Sequence, residues 1–564
     1  IEDDEFYNHG GIRVLSMGRG LRASLLEDNL QGGSTITQQL VKNVLLTPER
    51  TISRKTKEVV LAILTEQKYD KDEILEMYFN NISYGGTAWG IQSASEKYFG
   101  KDVSELSLAQ SSFLSGLTSA PSIYSPFSGN VSLWKDRQRI VLDRMVTLGY
   151  ISESEALLAF SENLVFAPQV EYIRAPHFVN YVREELNKQF GRRMVDLGGL
   201  TVITTLDLDI QEDVQRIVTE EIANSGYLNI SNGAAIVLDS ESNEIVAYVG
   251  SVDFFEPSFG AYDVITAYRQ PGSSIKPVTY ALALNDGFTA ASILDDSPVT
   301  FSFYGQTYSP VNYDGRFRGK VTLRQALANS YNIPAVKLIN SVGVNRMVEL
   351  GNKMGLKNWV YDNTFGLSTT LGGKEVRLID LSNVYATFAR YGIYKEVTSL
   401  VSVQDSNGVE SLTKSNSEQR VLSPEISYLI TNILSDNIAR STSFGYFSSL
   451  YIPGYEVAVK TGTTDEKRDN LTLGYSPSFT VGVWVGNNDN TPMNPNLASG
   501  LSGAAPIWNK IMSRVLETKN VEKFEVPNNI KYKTDDGCVL NSEIFVDGTV
   551  PSTLCEKNSD EKDD

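Results

Sequence analysis

Apolar residues recur at helical spacing through the first part of the chain. The helical period is clear over residues 51–68, 73–81 and 106–117. Glycine-rich breaks at Gln31-Gly-Gly33 and Tyr84-Gly-Gly86 separate these stretches. A loop is expected at 119–126, before another helical stretch that ends near residue 161. Strand signals are few here, so the pattern predicts a mainly α-helical domain.

From about residue 165 the apolar runs become short, as is typical of strands. Residues 200–206 are β-like and residues 207–225 are helical in pattern. Apolar runs around a polar turn predict one hairpin at 233–250, and 471–486 reads as another strand pair. Helical stretches lie between the two pairs, at 276–284, 323–328 and 333–342. This order predicts a sheet covered by helices.

Chain length and the changes in pattern together predict several domains. A chain of 564 residues exceeds what one hydrophobic core normally organises. We predict a helical domain (1–165), a linker module (166–230) and an α/β domain with helices around an antiparallel sheet (231–520). A C-terminal extension (521–564) follows, and its acidic tail is expected to be disordered.

Composition excludes several classes of function. The apolar fraction of 41% and the charged fraction of 21% are those of an ordinary globular protein. A net charge of −18 disfavours non-specific binding of nucleic acid. The chain has only two histidines, His9 and His177. Neither histidine lies in the predicted α/β domain at 231–520. Serine chemistry in that domain therefore cannot use a Ser-His-Asp triad built from its own residues.

The two cysteines, Cys538 and Cys555, make a Cys-rich zinc site improbable. They could form a disulfide, which would fit an oxidising extracytoplasmic setting, or remain two free thiols. No apolar run is long enough to span a bilayer. The chain begins at Ile1 without a methionine or a signal peptide. We expect that its N-terminus has been cut, and that an anchor could have been lost with it.

Three short motifs carry candidate acyl-transfer chemistry. In chain order they are Ser273-x-x-Lys276, Ser330-x-Asn332 and Lys460-Thr-Gly462-Thr463. Single matches are common: Ser-x-x-Lys also occurs at Ser132, Ser411 and Ser559, and Ser-x-Asn at Ser128 and Ser435. Only one combination of these matches begins where a helix is expected to start and ends at the one Lys-Thr-Gly. That combination is Ser273, Ser330 and Lys460. Ser435-Asp-Asn437 is a rival middle motif, ranked lower because it ends a predicted helix.

The first two motifs suit a serine nucleophile with a lysine base. Ser273 is expected at a helix N-terminus, where N–H groups favour a developing alkoxide. Lys276 shares its helix face and, if desolvated near another cation, could accept its proton. Ser330 could relay a proton toward the leaving amine, and Asn332 could hold the substrate backbone. Each of these residues alone is an ordinary cap, loop or surface residue.

The third motif predicts a strand edge around Lys460, which supplies positive charge. Thr461 and Thr463 supply hydroxyl groups for a substrate carboxylate, and Gly462 lets backbone approach closely. Backbone N–H groups at Ser273 and near Thr463 could form an oxyanion hole.

Residues from about 233 to 515 resemble the penicillin-binding transpeptidases through these three motifs. The resemblance implies a penicillin-binding, β-lactamase-like fold. It also implies that Ser273 attacks the penultimate D-alanine carbonyl of a stem peptide, releases D-alanine and passes the acyl group to an amine, without a cofactor. β-Lactams would acylate the same serine. One departure is Asn470-Leu-Thr-Leu473, where relatives usually carry an aromatic-rich segment.

Residues 1 to about 165 resemble the peptidoglycan glycosyltransferases. Five ordered segments carry the resemblance: Glu2-Asp-Asp-Glu-Phe6-Tyr-Asn-His9-Gly-Gly, Gly32-Gly-Ser-Thr-Ile-Thr-Gln-Gln39, Arg54-Lys-Thr-Lys-Glu58, Ile74-Leu-Glu-Met-Tyr-Phe-Asn80 and Gly90-Ile-Gln-Ser-Ala-Ser-Glu-Lys-Tyr-Phe99. The resemblance implies a mainly helical, lysozyme-like domain that joins sugars from a polyprenyl diphosphate donor. Gln110 stands where relatives often carry glutamate, and an effect on packing is expected.

The same resemblance implies roles for individual residues. Glu2 would be the base that takes the acceptor hydroxyl proton. Arg54 and Lys55 would hold the diphosphate, and Glu58 would orient that region directly or through a divalent cation such as Mg or Mn. The other implied contacts are His9, Gly32, Gly33, Ser34 and Thr35, with Gln38 and Gln39 bracing the cleft. Taken singly, a frayed terminal acid, a surface ion pair and an N-cap are the alternatives.

Together the two resemblances imply a bifunctional class A penicillin-binding protein at the outer face of the bacterial cytoplasmic membrane. It would polymerise lipid II into glycan strands and crosslink their stem peptides. Expected partners are these substrates, β-lactams, the membrane through an anchor missing from this chain, and other cell-wall synthesis proteins, but no nucleic acid. Two alternatives remain: a hydrolase (D,D-carboxypeptidase or β-lactamase), and a non-catalytic scaffold or β-lactam receptor.

Overall fold

The computed structural model describes residues 1–13, 34–46, 52–85, 88–126, 131–167, 173–303, 306–405, 408–410, 417–464, 466–495, 499–535 and 542–554. The chain divides into two compact units, Ile1–Tyr172 and Ile173–Asp564. Apolar cores lie within each unit. The domain boundaries proposed from the sequence at residues 165, 230 and 520 stay predictions.

The regular elements described in the first unit are helices, which confirms the predicted mainly α-helical domain. They are α1 (Ile36–Leu45), α2 (Ile52–Lys68), α3 (Lys71–Asn81), α4 (Ile91–Phe99), α5 (Leu108–Leu117), α6 (Pro121–Tyr124), α7 (Val131–Thr147) and α8 (Glu153–Ser161). Helix α6 is a single turn inside the loop expected at 119–126. Pro121 starts it, because a fixed φ and a missing N–H are compatible with the first helical position.

Four of these helices begin with a capping box. Thr35, Asp70, Ser107 and Ser152 each accept a hydrogen bond from the backbone of the third helical residue. The Gln or Glu side chain of that residue accepts from the cap backbone in return. Gln110 closes one of these boxes, so this departure from the relatives' glutamate acts at a helix start.

An aromatic cluster forms much of the first unit's core. The ring of Phe113 lies edge-on to Tyr98 and Trp134, with centroid separations of 5.6 and 5.4 Å. Phe6 is buried in the same core, and the Lys71 ammonium lies 4.5 Å from its ring centroid. Burial of Phe6 therefore fixes the N-terminal segment that carries Glu2.

The second unit combines helices with a five-stranded antiparallel sheet, as predicted. Its elements are α9 (Pro176–Phe190), α10 (Arg192–Leu197), β1 (Thr201–Thr204), α11 (Leu208–Asn224), β2 (Asn232–Asp239), β3 (Ile245–Val249), β4 (Tyr268–Arg269), α12 (Lys276–Asn285), β5 (Ile293–Asp296), β6 (Phe301–Phe303), β7 (Gln306–Tyr308), β8 (Gly319–Thr322), α13 (Leu323–Ala328), α14 (Asn332–Val342), α15 (Val344–Lys353), β9 (Val376–Arg377), α16 (Leu378–Ala389), β10 (Ile393–Lys395), β11 (Leu400–Gln404), β12 (Glu418–Arg420), α17 (Pro424–Ser435), α18 (Asn437–Phe444), β13 (Ala458–Thr463), β14 (Asp469–Tyr475), β15 (Phe479–Gly486), α19 (Ala504–Leu516), β16 (Ile530–Thr534) and β17 (Ser542–Val546).

The sheet runs in the order β13-β14-β15-β2-β3 and contains both predicted strand pairs, β2–β3 and β14–β15. Alternate residues face two different cores: Ala234 and Ile236 face one, and Ala235 and Val237 face the other. Helix α16 belongs to the first core, and helices α11 and α19 belong to the second. Strand β13 lies at the sheet edge.

A C-terminal hairpin, β16–β17, is joined to helix α13 by a buried ion pair. The Arg324 guanidinium on α13 donates two hydrogen bonds to the Glu543 carboxylate on β17, one of them 2.7 Å from Nε to Oε2. Arg324 also donates to Asn432 and Asp436. The Glu543 side chain is fully buried, so neither charge can be solvated if its partner is removed.

We expect Glu543→Ala to lower the free energy of unfolding of the second unit by up to about 3–5 kcal/mol, because the buried guanidinium of Arg324 loses the fully buried one of its two carboxylate partners and keeps only Asp436. Denaturant unfolding monitored by fluorescence measures this change. The control is Asp547→Ala on the same hairpin, where an exposed carboxylate lies 3.8 Å from Lys531 and a change within about 0.5 kcal/mol is expected. Equal stability of the two variants would contradict the structural role given to Glu543.

Several sequence predictions concern residues outside the described ranges. They are Gly32 and Gly33, the cysteines Cys538 and Cys555, and the acidic tail at 556–564. Within the described ranges, no helix has the length and apolar character that crossing a membrane requires.

Two candidate active sites

The first motif of the second unit forms a tight turn that leads into a helix. Residues Gly272–Ile275 form a 3-10 turn, called the serine turn below, and α12 begins at Lys276. The sequence placed Ser273 at the α-helix N-terminus; the structure places it one turn earlier. Residues three apart in a 3-10 turn lie above one another, so Ser273 and Lys276 still face the same side.

Glycine is required twice where the serine turn meets β13. Gly272 has a φ of +55°, in the left-handed region, and a Cβ there would lie 2.6 Å from the carbonyl oxygen of Thr463. A Cβ at Gly462 would lie 2.2 Å from the carbonyl oxygen of Pro271. The Tyr385 hydroxyl donates to the Ser274 carbonyl at 2.6 Å and so stabilises the serine turn. The Lys-Thr-Gly strand is therefore in direct contact with the turn that carries Ser273.

Lys276 joins the first motif to the second. Its side chain is fully buried, and its Nζ donates to the carbonyl of Ser330 at 2.6 Å, the carbonyl of Tyr331 at 3.1 Å and Oδ1 of Asn332 at 2.7 Å. These three oxygens surround Nζ and can accept its N–H groups. The Oγ atom of Ser330 lies 3.4 Å from the same nitrogen.

Ser330 lies between the two lysines of the site. Its Oγ accepts a 2.7 Å hydrogen bond from Nζ of Lys460. Its φ is +64°, a left-handed conformation that is uncommon for a serine and costs on the order of 1–3 kcal/mol. The rival serine behaves differently, because Ser435 donates to the carbonyl of Asn432 at the end of α17.

Lys460 extends from β13 into the interior and is 2% exposed. Its Nζ donates to Ser330 and, at 2.9 Å, to the carbonyl of Thr461. Burial, together with the positive charge of Arg440, lowers the pKa of Lys460 to about 7. At neutral pH a large share of Lys460 is therefore an uncharged amine.

Thr461 and Thr463 alternate with Lys460 along β13 and lie on its other face. Thr463 Oγ1 accepts a 3.1 Å hydrogen bond from the Asn470 amide, so its own hydroxyl proton can be donated to another group. Asn470, the first residue of the departure from the family pattern, also accepts from the backbone N–H of Ala504 at 2.8 Å.

Asn332 is braced by two residues that the sequence analysis did not single out. Its backbone N–H donates to Oδ1 of Asn312 at 2.7 Å, and the Asn312 amide donates to the buried carboxylate of Asp296. The Asn332 amide nitrogen donates to the carbonyl of Val311 at 2.9 Å. Neither Asn312 nor Asp296 lies in a motif, so local sequence carries no signal for them.

In the first unit, Glu2 lies at the edge of a polar cluster. Its carboxylate accepts from Nε2 of Gln39 at 3.3 Å and from the Arg137 guanidinium at 3.4 Å. Its side chain is 21% exposed, which leaves it accessible to a substrate hydroxyl. Gln39 in turn accepts from the hydroxyl of Tyr78 at 3.3 Å. Burial, and the nearby charge of Glu2, raises the pKa of Tyr78.

His9 is engaged within the protein. Its Nδ1 accepts from the backbone N–H of Gly11 at 3.2 Å, which leaves Nε2 to donate to Asp3 at 2.9 Å. The Asp3 carboxylate also accepts from the N–H of Ile36 at the start of α1. The structure therefore gives His9 a bracing role beside Glu2, and any substrate contact it makes stays a prediction.

The third glycosyltransferase segment forms a buried acid held by two bases. Glu58 is 1% exposed, with Arg54 NH1 3.0 Å from one oxygen and the Lys55 ammonium bonded to the other. Lys55 also donates to Oγ of Ser34 at 2.9 Å. This network joins Ser34, just before α1, to α2, and it sets both cations beside the same carboxylate.

The remaining predicted contacts act at the start of α1. Thr35 caps the helix, and its hydroxyl donates to the carbonyl of Gly11 at 2.6 Å. Gln38 is fully buried and closes the capping box. Arg137, which contacts Glu2, was missed by the sequence analysis because it lies on α7, outside every quoted motif.

The comparisons with known proteins agree with this division. The family described as transglycosylase matches residues 1–146, and the family described as penicillin binding protein transpeptidase domain matches residues 233–513. The chain is 33% identical to penicillin-binding protein 1F of Bacillus subtilis, covering 94% of this chain and 74% of that one. It is 30% identical to penicillin-binding protein 1A of Clostridium botulinum, covering 98% and 72%.

A solved structure has the same fold. The crystal structure of penicillin-binding protein 1A from Haemophilus influenzae matches with a TM-score of 0.71, covering 92% of this chain and 94% of that chain. The sequence identity is 22%, so this likeness concerns the fold.

Proposed function

Because this chain belongs to the bifunctional class A penicillin-binding proteins, we propose that Ser273, Lys276, Ser330, Asn332 and Lys460 carry out its acyl transfer. The chain is a peptidoglycan synthase with glycosyltransferase and transpeptidase domains. One observation carries the assignment of residues: Ser330 Oγ lies within hydrogen-bond reach of both lysines, and β13, which carries Lys460, contacts the turn that contains Ser273.

In the proposed transpeptidation, Ser273 attacks the penultimate D-alanine carbonyl of a stem peptide and forms an acyl-enzyme. Lys276 takes the hydroxyl proton, and Ser330 returns a proton to the leaving D-alanine amine. Backbone N–H groups of Ser273 and Thr463 stabilise the oxyanion. An amine of a neighbouring strand then attacks the acyl-Ser273 ester, which forms the crosslink and frees the serine.

In the first step the terminal carboxylate of the stem peptide is held near β13. Thr463 is suited to this role, because the Asn470 amide occupies its oxygen and leaves the hydroxyl proton for a carboxylate. Thr461 adds a second hydroxyl on the same face, and Gly462 keeps the strand close to the serine turn. β-Lactams present the same carbonyl and carboxylate, so we propose that they acylate Ser273.

In the proposed glycosyl transfer, Glu2 takes a proton from the acceptor hydroxyl, and Gln39 and Arg137 orient its carboxylate. Arg54 and Lys55 hold the departing diphosphate of lipid II. Glu58 keeps these two cations together until the diphosphate is bound. Ser34, just before α1, offers its N–H group to anionic oxygens beside Lys55, whereas the N–H group of Thr35 is bonded to Gln38.

Transpeptidation by a serine acyl-enzyme uses no cofactor in this family. A Mg or Mn ion for glycosyl transfer stays a prediction. Both Glu58 oxygens are bonded to basic side chains, and the described residues contain no cluster of three or more His, Cys, Asp or Glu side chains that could hold a metal ion. The donor set does not fit a metal ion held by protein ligands alone, so no step of the proposed transfer uses one.

Lipid II, glycan strands and stem peptides are the substrates that the family implies, and β-lactams are its inhibitors. Because lipid II is a membrane lipid with an extracytoplasmic head group, we propose that the protein works at the outer face of the bacterial cytoplasmic membrane. Other cell-wall synthesis proteins are proposed as further partners.

One assay tests the proposed function. Fluorescent lipid II in detergent is incubated with the protein, and the products are separated before and after digestion with a muramidase. Glycan polymer that yields crosslinked muropeptides is the expected result. Free tetrapeptides without crosslinks would indicate a hydrolase, and penicillin labelling without polymer or crosslinks would indicate a β-lactam receptor.

A further inference from the structure

Arg440 is a buried cation that the proposed machinery does not explain. It lies on helix α18 and is 3% exposed. Its NH2 donates to the carbonyl of Leu434 at 2.7 Å, and its Nε donates to the carbonyl of Asp436 at 3.4 Å. Its NH1 has no hydrogen-bond partner among the described residues. Burying a charge in this way is costly, so a compensating role is expected.

The neighbour of this guanidinium is Lys460. Both side chains line one small cavity, together with Val459, Thr461 and the apolar end of α17. Burial lowers the pKa of Arg440 to about 10, whereas burial and the Arg440 charge lower the pKa of Lys460 to about 7. At neutral pH the guanidinium therefore stays charged, and the amine is the group that gives up its proton.

Few other charges face Lys460 from the elements packed around it. Lys276 reaches Ser330 from α12, on the opposite side of the hydroxyl. Asp436, between α17 and α18, lies near Arg440 and accepts from Arg324 at 3.1 Å. Helix α17 presents the apolar Ile433 and Leu434 to the cavity. Arg440 is thus the main repulsive charge, and Asp436 is the acid that partly offsets it.

We propose that Arg440 is a positioning residue for acyl transfer, which keeps Lys460 uncharged so that the two active-site lysines share one proton. The proposal rests on the proposed transpeptidase function. After Lys276 has taken the Ser273 proton, it passes a proton to Oγ of Ser330, and the Ser330 hydroxyl proton moves to the free electron pair of Lys460. Lys276 is then uncharged again, and Ser330 delivers its hydroxyl proton to the leaving amine while Lys460 returns a proton to the Ser330 oxygen.

The pH dependence of acylation tests this proposal. The second-order rate of labelling by a fluorescent penicillin is measured from pH 5.5 to 9. In the unsubstituted protein the rate should fall as Lys460 becomes protonated below about pH 7. The acid limb is the low-pH part of this profile, over which the labelling rate falls. In Arg440→Met it should move up by about one pH unit, and the labelling rate at pH 7 should fall roughly tenfold. Arg440→Lys keeps the charge and should retain most of the original profile.

A second variant keeps the test decisive if Arg440→Met does not fold. Asp436→Asn retains the helix cap but removes the offsetting acid, so its acid limb should move down, opposite to Arg440→Met. A purely structural role would lower the rate by a constant factor at every pH. Unshifted acid limbs in the folded variants, or an upward shift in Asp436→Asn, would overturn the proposal. Loss of labelling in Ser273→Ala would still support the nucleophile, so the two failures are distinguishable.

Discussion

Ser273→Ala is expected to abolish covalent labelling by a fluorescent penicillin. The substitution removes the hydroxyl oxygen that carries the acyl group in the proposed reaction, and the one histidine of this unit, His177, is bonded to Ser251 and lies outside the three motifs. Loss of a serine nucleophile costs on the order of 10⁴-fold or more in rate. Gel fluorescence after minutes to hours of incubation measures this loss. Crosslinking of glycan should disappear with it, while polymerisation continues.

The matched control is Ser435→Ala, in the rival Ser-x-Asn motif. Its hydroxyl donates to the carbonyl of Asn432 and does not contact the lysines, so labelling at the unsubstituted rate is expected. Stoichiometric labelling of Ser273→Ala would refute the assignment of the nucleophile. Labelling lost in Ser435→Ala but kept in Ser273→Ala would move the site to α17.

Glu2→Gln is expected to reduce polymerisation of lipid II by about 10²–10⁴-fold, the usual contribution of a general base. Glutamine keeps the shape and can still accept from Gln39 and Arg137, but it cannot take a proton from the acceptor hydroxyl. The initial rate of glycan formation from fluorescent lipid II measures the effect. Penicillin labelling should be unchanged, because Ser273 lies in the other unit.

Glu5→Gln is the control for this prediction. Glu5 lies three residues further along the same segment, its side chain is 57% exposed, and its carboxylate is 2.6 Å from Arg13. A change of less than about twofold is expected, since an exposed ion pair contributes little. A Glu2→Gln protein that polymerises as fast as Glu5→Gln would show that the base lies elsewhere.

The local sequence pattern predicted the helices and strands around both sites, because these elements are determined by residues close together in sequence. Helices α3 and α5 and strands β14 and β15 follow from apolar periodicity over a few residues, and the structure has them within one or two residues of the prediction. The 3-10 form of the serine turn was not predicted. Its cause is the close approach of β13 at Gly272, and nothing next to Gly272 in sequence signals a strand far along the chain.

The order of the motifs predicted which serines and lysines would form one site. It did not predict the neighbouring groups that set their conformation and charge. The left-handed backbone of Ser330, the burial of Arg440 and the contact of Arg137 with Glu2 depend on residues far apart in sequence. Periodicity reports the face of an element and not its distant partner. The roles assigned by resemblance to His9 and Thr461 stay predictions for the same reason.

The ion pair between Arg324 and Glu543 has a consequence for biosynthesis. Helix α13 leads directly into Ser330, and the Arg324 guanidinium on this helix lacks one of its two carboxylate partners until the final hairpin has been synthesised. The central sheet also forms late, because β2 pairs with β15, and most of the sequence of the unit lies between these two strands. A nascent chain that has not yet reached residue 543 should therefore react with an antibiotic more slowly than the 564-residue chain.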